Sequence, residues 1–405
     1  MNPKFVRMRF KPTWLCCFVV SMCPIAAPGA DPEIPEEAAH EPSIWESAQA
    51  DMSHFFKGKI GGNLPVQMVI AIPGENLIDP SIGNFSEAGD APAPISGYYS
   101  YDRHGRPITL QGAQVEGSEE DYHHLSLTES GDGGKVTGRI ELKWRDRVGA
   151  KVSGEWTSPD KSKRLPVELE LVAVPRQLKA GSARCEFEFS APYFIRKSKI
   201  DTAANQKIQA WRSEQFAAHQ EADTEQWEEA IGPDAEWIGI PHEHSTSIAP
   251  VHCADDMISL VAYESAYTGG AHGNYWFGKY NAALDRSGEL REIALADLFS
   301  NPEQGIKIVA GKVIERLRAR EAIWGIVEKT PEQVKPEELG TFTLTPQGIA
   351  FAFAPYEVHA FAAGCFYTTI AWDEIAGIVD TGRWPFLKRW LSAGTGKSAQ
   401  PKPPK

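Results

Sequence analysis

The chain has 405 residues, 42% hydrophobic and 23% charged, which is ordinary for globular protein and long enough for two or three domains with real cores. A formal net charge of −13 argues against nucleic acid and anionic membrane surfaces as partners and suits a cationic one, although solubility alone is the commoner reason for acidity. Thirty-five glycines and 29 prolines favour a turn-rich β architecture over a helical bundle.

Residues 1–30 are expected to be a signal peptide. Lys4, Arg7, Arg9 and Lys11 precede a short apolar run at 14–23, and small residues follow at 26–30. The cut is expected between Ala27 and Asp31, and Met22 before Cys23 argues against a lipoprotein anchor. Losing this leader takes the net charge to −17. No other stretch has the length to span a bilayer, so the product is expected outside the cytoplasm, periplasmic or secreted. Residues 31–51, rich in Pro, Glu and Ala, form a linker.

The next segment, 52–176, is expected to be an antiparallel β domain. Val66, Met68, Ile70 and Ile72 alternate along one strand. Short strands follow near 95–101, 108–115, 123–128, 135–144, 151–156 and 165–174. They are separated by turn chemistry such as Asp102-Arg103-His104-Gly105 and Ser130-Gly131-Asp132-Gly133-Gly134. Such a meander rolls into a barrel or a sandwich. Residues 176–181 form a plausible junction.

The second domain, 182–380, is expected to be α+β, an antiparallel sheet with packed helices. A strand at 185–194 precedes a helix at 203–230 with Ile208, Trp211 and Phe216 on one face. Residues 237–247 are strand or loop. Strands at 257–267 and 275–284 follow, then a helix with Ile306, Val309, Val313 and Leu317 on one face, ending near Trp324. A hairpin carrying Phe342, Leu344, Ile349, Phe351 and Phe353 and a last strand at 366–372 complete the sheet. A short helix at 384–391 closes the domain, and 392–405 is expected to be a disordered tail.

Between the strands at 257–267 and 275–284 lies the stretch that points to function, Tyr267-Thr268-Gly269-Gly270-Ala271-His272-Gly273-Asn274. Three glycines in five positions free the backbone, and Thr268, His272 and Asn274 place hydrogen-bonding groups between flanking aromatics. This loop, then Leu295-Ala296-Asp297-Leu298-Phe299, then Phe353-Ala354-Pro355-Tyr356-Glu357 through Ala362-Ala363-Gly364, occur in that order. Together they resemble the extracytoplasmic domain of the lysozyme-sensing anti-sigma factors, a domain of unknown function also found beside some peptidoglycan deacetylases. The resemblance spans about 185–379. It implies a non-catalytic binding domain, which in those proteins fills the lysozyme cleft. One departure is His359-Ala360-Phe361, where relatives often carry Ala-Pro-Tyr.

His242-x-His244 on a strand puts two rings on one face, which zinc could use with a third ligand. His252, His272 and His359 add imidazoles, but no spacing matches a zinc signature, so no metal and no cofactor are expected. Glycoside cleavage needs two acids across the sugar, and Glu264, Glu357 and Asp373 are the candidates. No nucleophile elbow or phosphate loop is present. Of the six cysteines, three leave with the leader, and Cys185 with Cys253 is the expected disulfide, Cys365 being left over.

The expected function is a binding protein for a cell-envelope target, a cationic lysozyme-like hydrolase or a peptidoglycan fragment. Its binding residues would be Tyr267, Thr268, Gly269, Gly270, His272, Asn274, Tyr356, Glu357 and Phe361, with no catalytic residue. The alternatives are an envelope glycan enzyme using Glu357 or Asp373, and a carbohydrate-binding module centred on Tyr98, Tyr101 and Trp156.

Overall fold

The computed structural model describes residues 53–72, 95–102, 107–115, 122–131, 134–145, 151–181, 185–231, 242–269 and 271–394. The expected leader, the 31–51 linker and most of the expected tail lie outside them, as does Gly270.

The first eight strands are β1 (Ser53–Ile60), β2 (Leu64–Ala71), β3 (Ile95–Tyr101), β4 (Ile108–Gln114), β5 (Tyr122–Ser130), β6 (Val136–Arg145), β7 (Lys151–Thr157) and β8 (Arg164–Gly181). Each pairs antiparallel with the next, and β1 also pairs with β8, so the meander closes into a barrel. Alternation fills it. On β6, Ile140, Leu142 and Trp144 point inward while Arg139, Glu141 and Lys143 point out. Closure leaves no free edge, which resolves the barrel-or-sandwich alternative. One carboxylate sits in this interior. Glu129 accepts from Tyr99 Oη at 2.8 Å, Thr137 Oγ1 at 2.7 Å and Trp156 Nε1 at 2.5 Å, so its burial is compensated by three donors.

The stretch expected as a junction, 176–181, is strand. β8 runs unbroken for 18 residues, its first part in the barrel wall and its second paired with β9 (Cys185–Phe194) from Ala173 to Gly181. Where the barrel meets the second half, its wall is buried on both faces. Phe56 and Leu171 point into the barrel, while their neighbours Phe55 and Val172 point into the adjoining core.

Helix α1 (Lys199–Ile231) then crosses over to β10 (His242–Cys253), which lies parallel to β9. β11 (Met257–Tyr267), β12 (Asn274–Leu284) and β13 (Leu290–Glu292) extend the sheet antiparallel. The ambiguous 237–247 stretch is therefore strand from His242 onward. Helix α2 (Pro302–Ala319) starts with Pro302 after Asn301, whose side chain accepts from the Gln304 N–H. It ends before the expected Trp324. Strands β14 (Thr341–Thr345), β15 (Gly348–Phe353) and β16 (Phe366–Ala371) form a second small sheet, and α3 (Pro385–Gly394) follows.

These elements stack in four layers. Ile200, Ala204 and Ile208 of α1 pack on Phe187, Phe189, Leu260 and Ala282 of the large sheet. The opposite face of that sheet offers Ala249 and Val261 to Ala350 and Ala352 of the small sheet. The small sheet's far face, with Phe342, Leu344 and Phe351, receives Val309, Val313 and Leu317 of α2. Small residues between the sheets allow a buried polar weld. Ser259 Oγ donates to Asn281 Oδ1 at 2.6 Å, Asn281 Nδ2 donates to the Phe342 carbonyl, and Leu344 N–H donates to Ser259 Oγ.

The expected Cys185–Cys253 disulfide is corrected. None of the three cysteines of the described residues is in a disulfide. Cys185 is the register partner of His242, at one end of the twelve-residue β10, and Cys253 is at the other end. At about 3.3 Å per residue that is roughly 35 Å, far beyond disulfide reach.

Candidate functional site

Pairing of Ala266 with Asn274 closes the β11–β12 hairpin, whose described loop residues are 268–269 and 271–273. Gly269 takes φ +94°, a conformation that L side chains rarely adopt. Thr268, Gly269, Ala271, His272 and Asn274 are exposed and Tyr267 is half-buried. His272 Nδ1 lies 2.8 Å from the Gly273 carbonyl. Because a carbonyl can only accept, Nδ1 carries the proton and Nε2 is the ring's acceptor.

The second loop leaves β15 at Phe353 and is tied down tightly. Glu357 N–H donates to the Ala354 carbonyl, and the Glu357 carboxylate accepts from the Ala354 N–H at 2.7 Å. Glu357 is exposed as a residue, yet partial desolvation of its carboxylate pushes its pKa up. In this structure its carboxylate closes the turn onto the Ala354 N–H. Tyr356 sits in the left-handed region at φ +69° and is 53% exposed. Its N–H donates to the His359 carbonyl and its carbonyl accepts from Trp324 Nε1. The Ile323 and Trp324 N–H groups both donate to the Val358 carbonyl.

Phe361 joins the two loops. The His272 ring stacks on it with centroids 3.7 Å apart and planes 12° apart. Tyr275 meets it edge-on at 5.7 Å, and Tyr356 lies at 5.9 Å. Cys365 lies beneath, half-buried, with its thiol pushed up by burial and hydrogen-bonded to Tyr275 and Tyr367. The structure thus brings His272, Phe361 and Tyr356 into one cluster, while the exposed Thr268, Gly269 and Asn274 share the hairpin end that carries His272. Ile323 and Trp324 were missed from the sequence. They follow the end of α2, and nothing local marks them as neighbours of residue 356. Ile323, at 55%, is the most exposed large apolar side chain among the described residues.

An aromatic residue in the left-handed conformation is strained by about 1–2 kcal/mol relative to glycine. Tyr356→Gly is therefore expected to leave stability unchanged or raise it by up to about 1 kcal/mol. Urea unfolding of the two proteins checks this. A loss above 1 kcal/mol would show that the Tyr356 ring holds the fold together.

The alternative chemistries fare differently. Glu264 faces α1, where its Oε2 accepts from Trp276 Nε1 at 2.7 Å and Gln215 Nε2 at 2.8 Å. Glu357 lies with the small sheet on the other side. Asp373 follows β16 at the end opposite to Glu357, roughly 17 Å away along the strand. No two of these three flank a common space, as paired glycosidase acids must. The proposed saccharide platform is also corrected. Tyr101 and Trp156 pack against the barrel core, and Tyr98 packs on the opposite side of the wall against the second core. Alternation alone forces Tyr98 and Tyr101 to opposite faces.

Residues 178–275 match the family model described as Deacetylase PdaC, and residues 296–373 match that of a protein family of unknown function, DUF3298. The glycine loop falls in the first segment and the Tyr356 loop in the second, so the aromatic cluster joins the two. A DUF3298 family member from Bacteroides fragilis is 13% identical, with 54% of this chain and 98% of that one covered at a TM-score of 0.39. A DUF3298 family protein from Pseudomonas aeruginosa is also 13% identical, with 52% and 94% covered at 0.35. No curated protein matches the chain. Among the described residues, no helix is long and apolar enough to cross a membrane.

Proposed function

We propose that the protein is a non-catalytic, extracytoplasmic binding protein for a cell-envelope target, gripped by the face that Tyr356, Phe361 and His272 build. The observation that carries this is the His272–Phe361 stack, which unites two distant loops into one exposed aromatic cluster. Large aromatics with a polar tip are the residue types that anchor interfaces. The strained backbone of an exposed Tyr356 is the kind of cost found at binding sites. The segment matching a model described by a deacetylase supports an envelope setting.

The partner favoured by the charge balance is a cationic lysozyme-like hydrolase, since an acidic protein steers it electrostatically. The test is binding to a basic lysozyme, with soluble peptidoglycan fragments as the competing ligand. A complex that weakens at least tenfold in Tyr356→Ala and Phe361→Ala, and weakens with salt, is the expected result. Binding of peptidoglycan alone through the same residues would replace the partner. If neither binds, or if both variants bind like the parent, the proposed face is wrong.

A further inference from the structure

The His242-x-His244 pair takes no part in the aromatic face, yet the fold gives it company. Both rings project from β10 toward α1, on the same side as Ile248. Cys185 on β9 is the register partner of His242 and faces the same way. From α1, His219 brings Nδ1 to 3.2 Å from Cys185 Sγ, and its ring centroid lies 6.2 Å from that of His244. Phe187 and Phe216 wall His219 at 5.2 and 6.2 Å, so the group is shielded by apolar rings. Cys185, His219 and His242 are all buried.

We propose that Cys185, His219 and His244, with His242 as fourth donor, form a zinc site that pins α1 to the sheet. One thiolate with imidazoles is a donor set that suits zinc. With zinc–sulfur and zinc–nitrogen bonds of about 2.3 and 2.0 Å, a tetrahedral site has a sulfur–nitrogen edge of roughly 3.5 Å and imidazole centroids roughly 5 Å apart. The 3.2 Å Cys185–His219 separation lies close to the first, while the 6.2 Å between the His219 and His244 rings is wider than the second by about 1 Å. As they stand, no three His, Cys, Asp or Glu side chains among the described residues close around one point. Metal uptake therefore includes rotation of His244 toward Cys185 and release of the thiol proton to solvent. The Cys185–His219 contact holds half of the site in place beforehand. The local sequence hides such a site, because its donors come from a strand, a helix and a second strand.

The site lies on the helix-facing side of the large sheet, away from the His272–Phe361 face, so the two proposals fail independently. Chelator-treated protein is titrated with Co²⁺, then with Zn²⁺. One equivalent of Co²⁺ should produce a thiolate-to-cobalt charge-transfer band that Zn²⁺ abolishes, and Zn²⁺ should raise the melting temperature. Cys185→Ser should lose the band, and His219→Ala and His244→Ala should weaken binding at least tenfold. Cys253→Ser and Cys365→Ser should keep it. Absence of the band in the parent protein, or its survival in Cys185→Ser, overturns the proposal. The parent measurement decides even if a variant fails to fold.

Discussion

Gly325→Ala is expected to destabilise the protein by on the order of 3 kcal/mol and to weaken partner binding at least tenfold. Gly325 has φ +69°, where an added Cβ costs about 1–2 kcal/mol from backbone strain alone. The greater problem is space. That Cβ would lie 2.2 Å from the Glu357 carbonyl oxygen, which is backbone and not a flexible side-chain end. Glu357 cannot retreat without disturbing its neighbour Val358, whose carbonyl accepts from Ile323 and Trp324. The displaced residues are those that present Tyr356, so stability and binding should fall together. Gly288→Ala is the control, because its φ is +77° but no atom lies within 4 Å of the added Cβ. It should cost only the backbone strain and leave binding intact. Equal losses in the two variants, by urea unfolding and by titration with the partner, would remove the steric argument.

The second large effect is acid destabilisation through His252. This ring lies where the barrel meets the second half. Gln67 Oε1 accepts from the Cys253 N–H, so Gln67 Nε2 must donate, to Asp102 at 3.0 Å and to His252 Nδ1 at 2.8 Å. The proton of His252 is therefore on Nε2, and adding one at Nδ1 would set two donors against each other. Burial, then the nearby charges of Lys57 and Arg389, push its pKa down from 6.5 to about 3, while Trp390 packs edge-on against the ring. A lowered histidine pKa means that the unfolded chain binds the proton more readily. Stability is thus complete above about pH 6.5 and is lost as pH falls toward about 3. At about 1.4 kcal/mol per pKa unit, the full loss is on the order of 4 to 5 kcal/mol. Glu264 and Glu357 act with the opposite sign, since burial raises their pKa values and protonation relieves it. The measurement is therefore comparative. His252→Asn keeps an acceptor for Gln67 but cannot titrate, and its stability should fall less between pH 7 and 4 than that of the parent. Parallel curves would show that His252 does not carry the acid response.

Much of the candidate site was legible because its parts are local. The glycines of 269–273 announce a turn between two alternating runs, and Pro355-Tyr356 announces a chain leaving a strand. Trp324 could not be placed, because its contact with Tyr356 depends on how the chain turns after α2. The disulfide expectation failed for a related reason. Cys185 and Cys253 both border strands of one sheet, but sequence does not say that Cys185 of β9 pairs beside the end of β10 opposite to Cys253.

By itself, then, the sequence determined the elements. Periodicity two marked the strands of the meander and the Phe342–Phe353 hairpin, periodicity near 3.6 marked α1 and α2, and glycine and proline marked the turns, because these signals act within a few residues. Only the tertiary structure decided that the meander closes through β1 and β8, that β8 continues into the second sheet, and that His272 meets Phe361 on one face while Cys185 meets His219 on the other. Those outcomes depend on register and layer packing between segments far apart in the chain, and no local pattern of side chains encodes them.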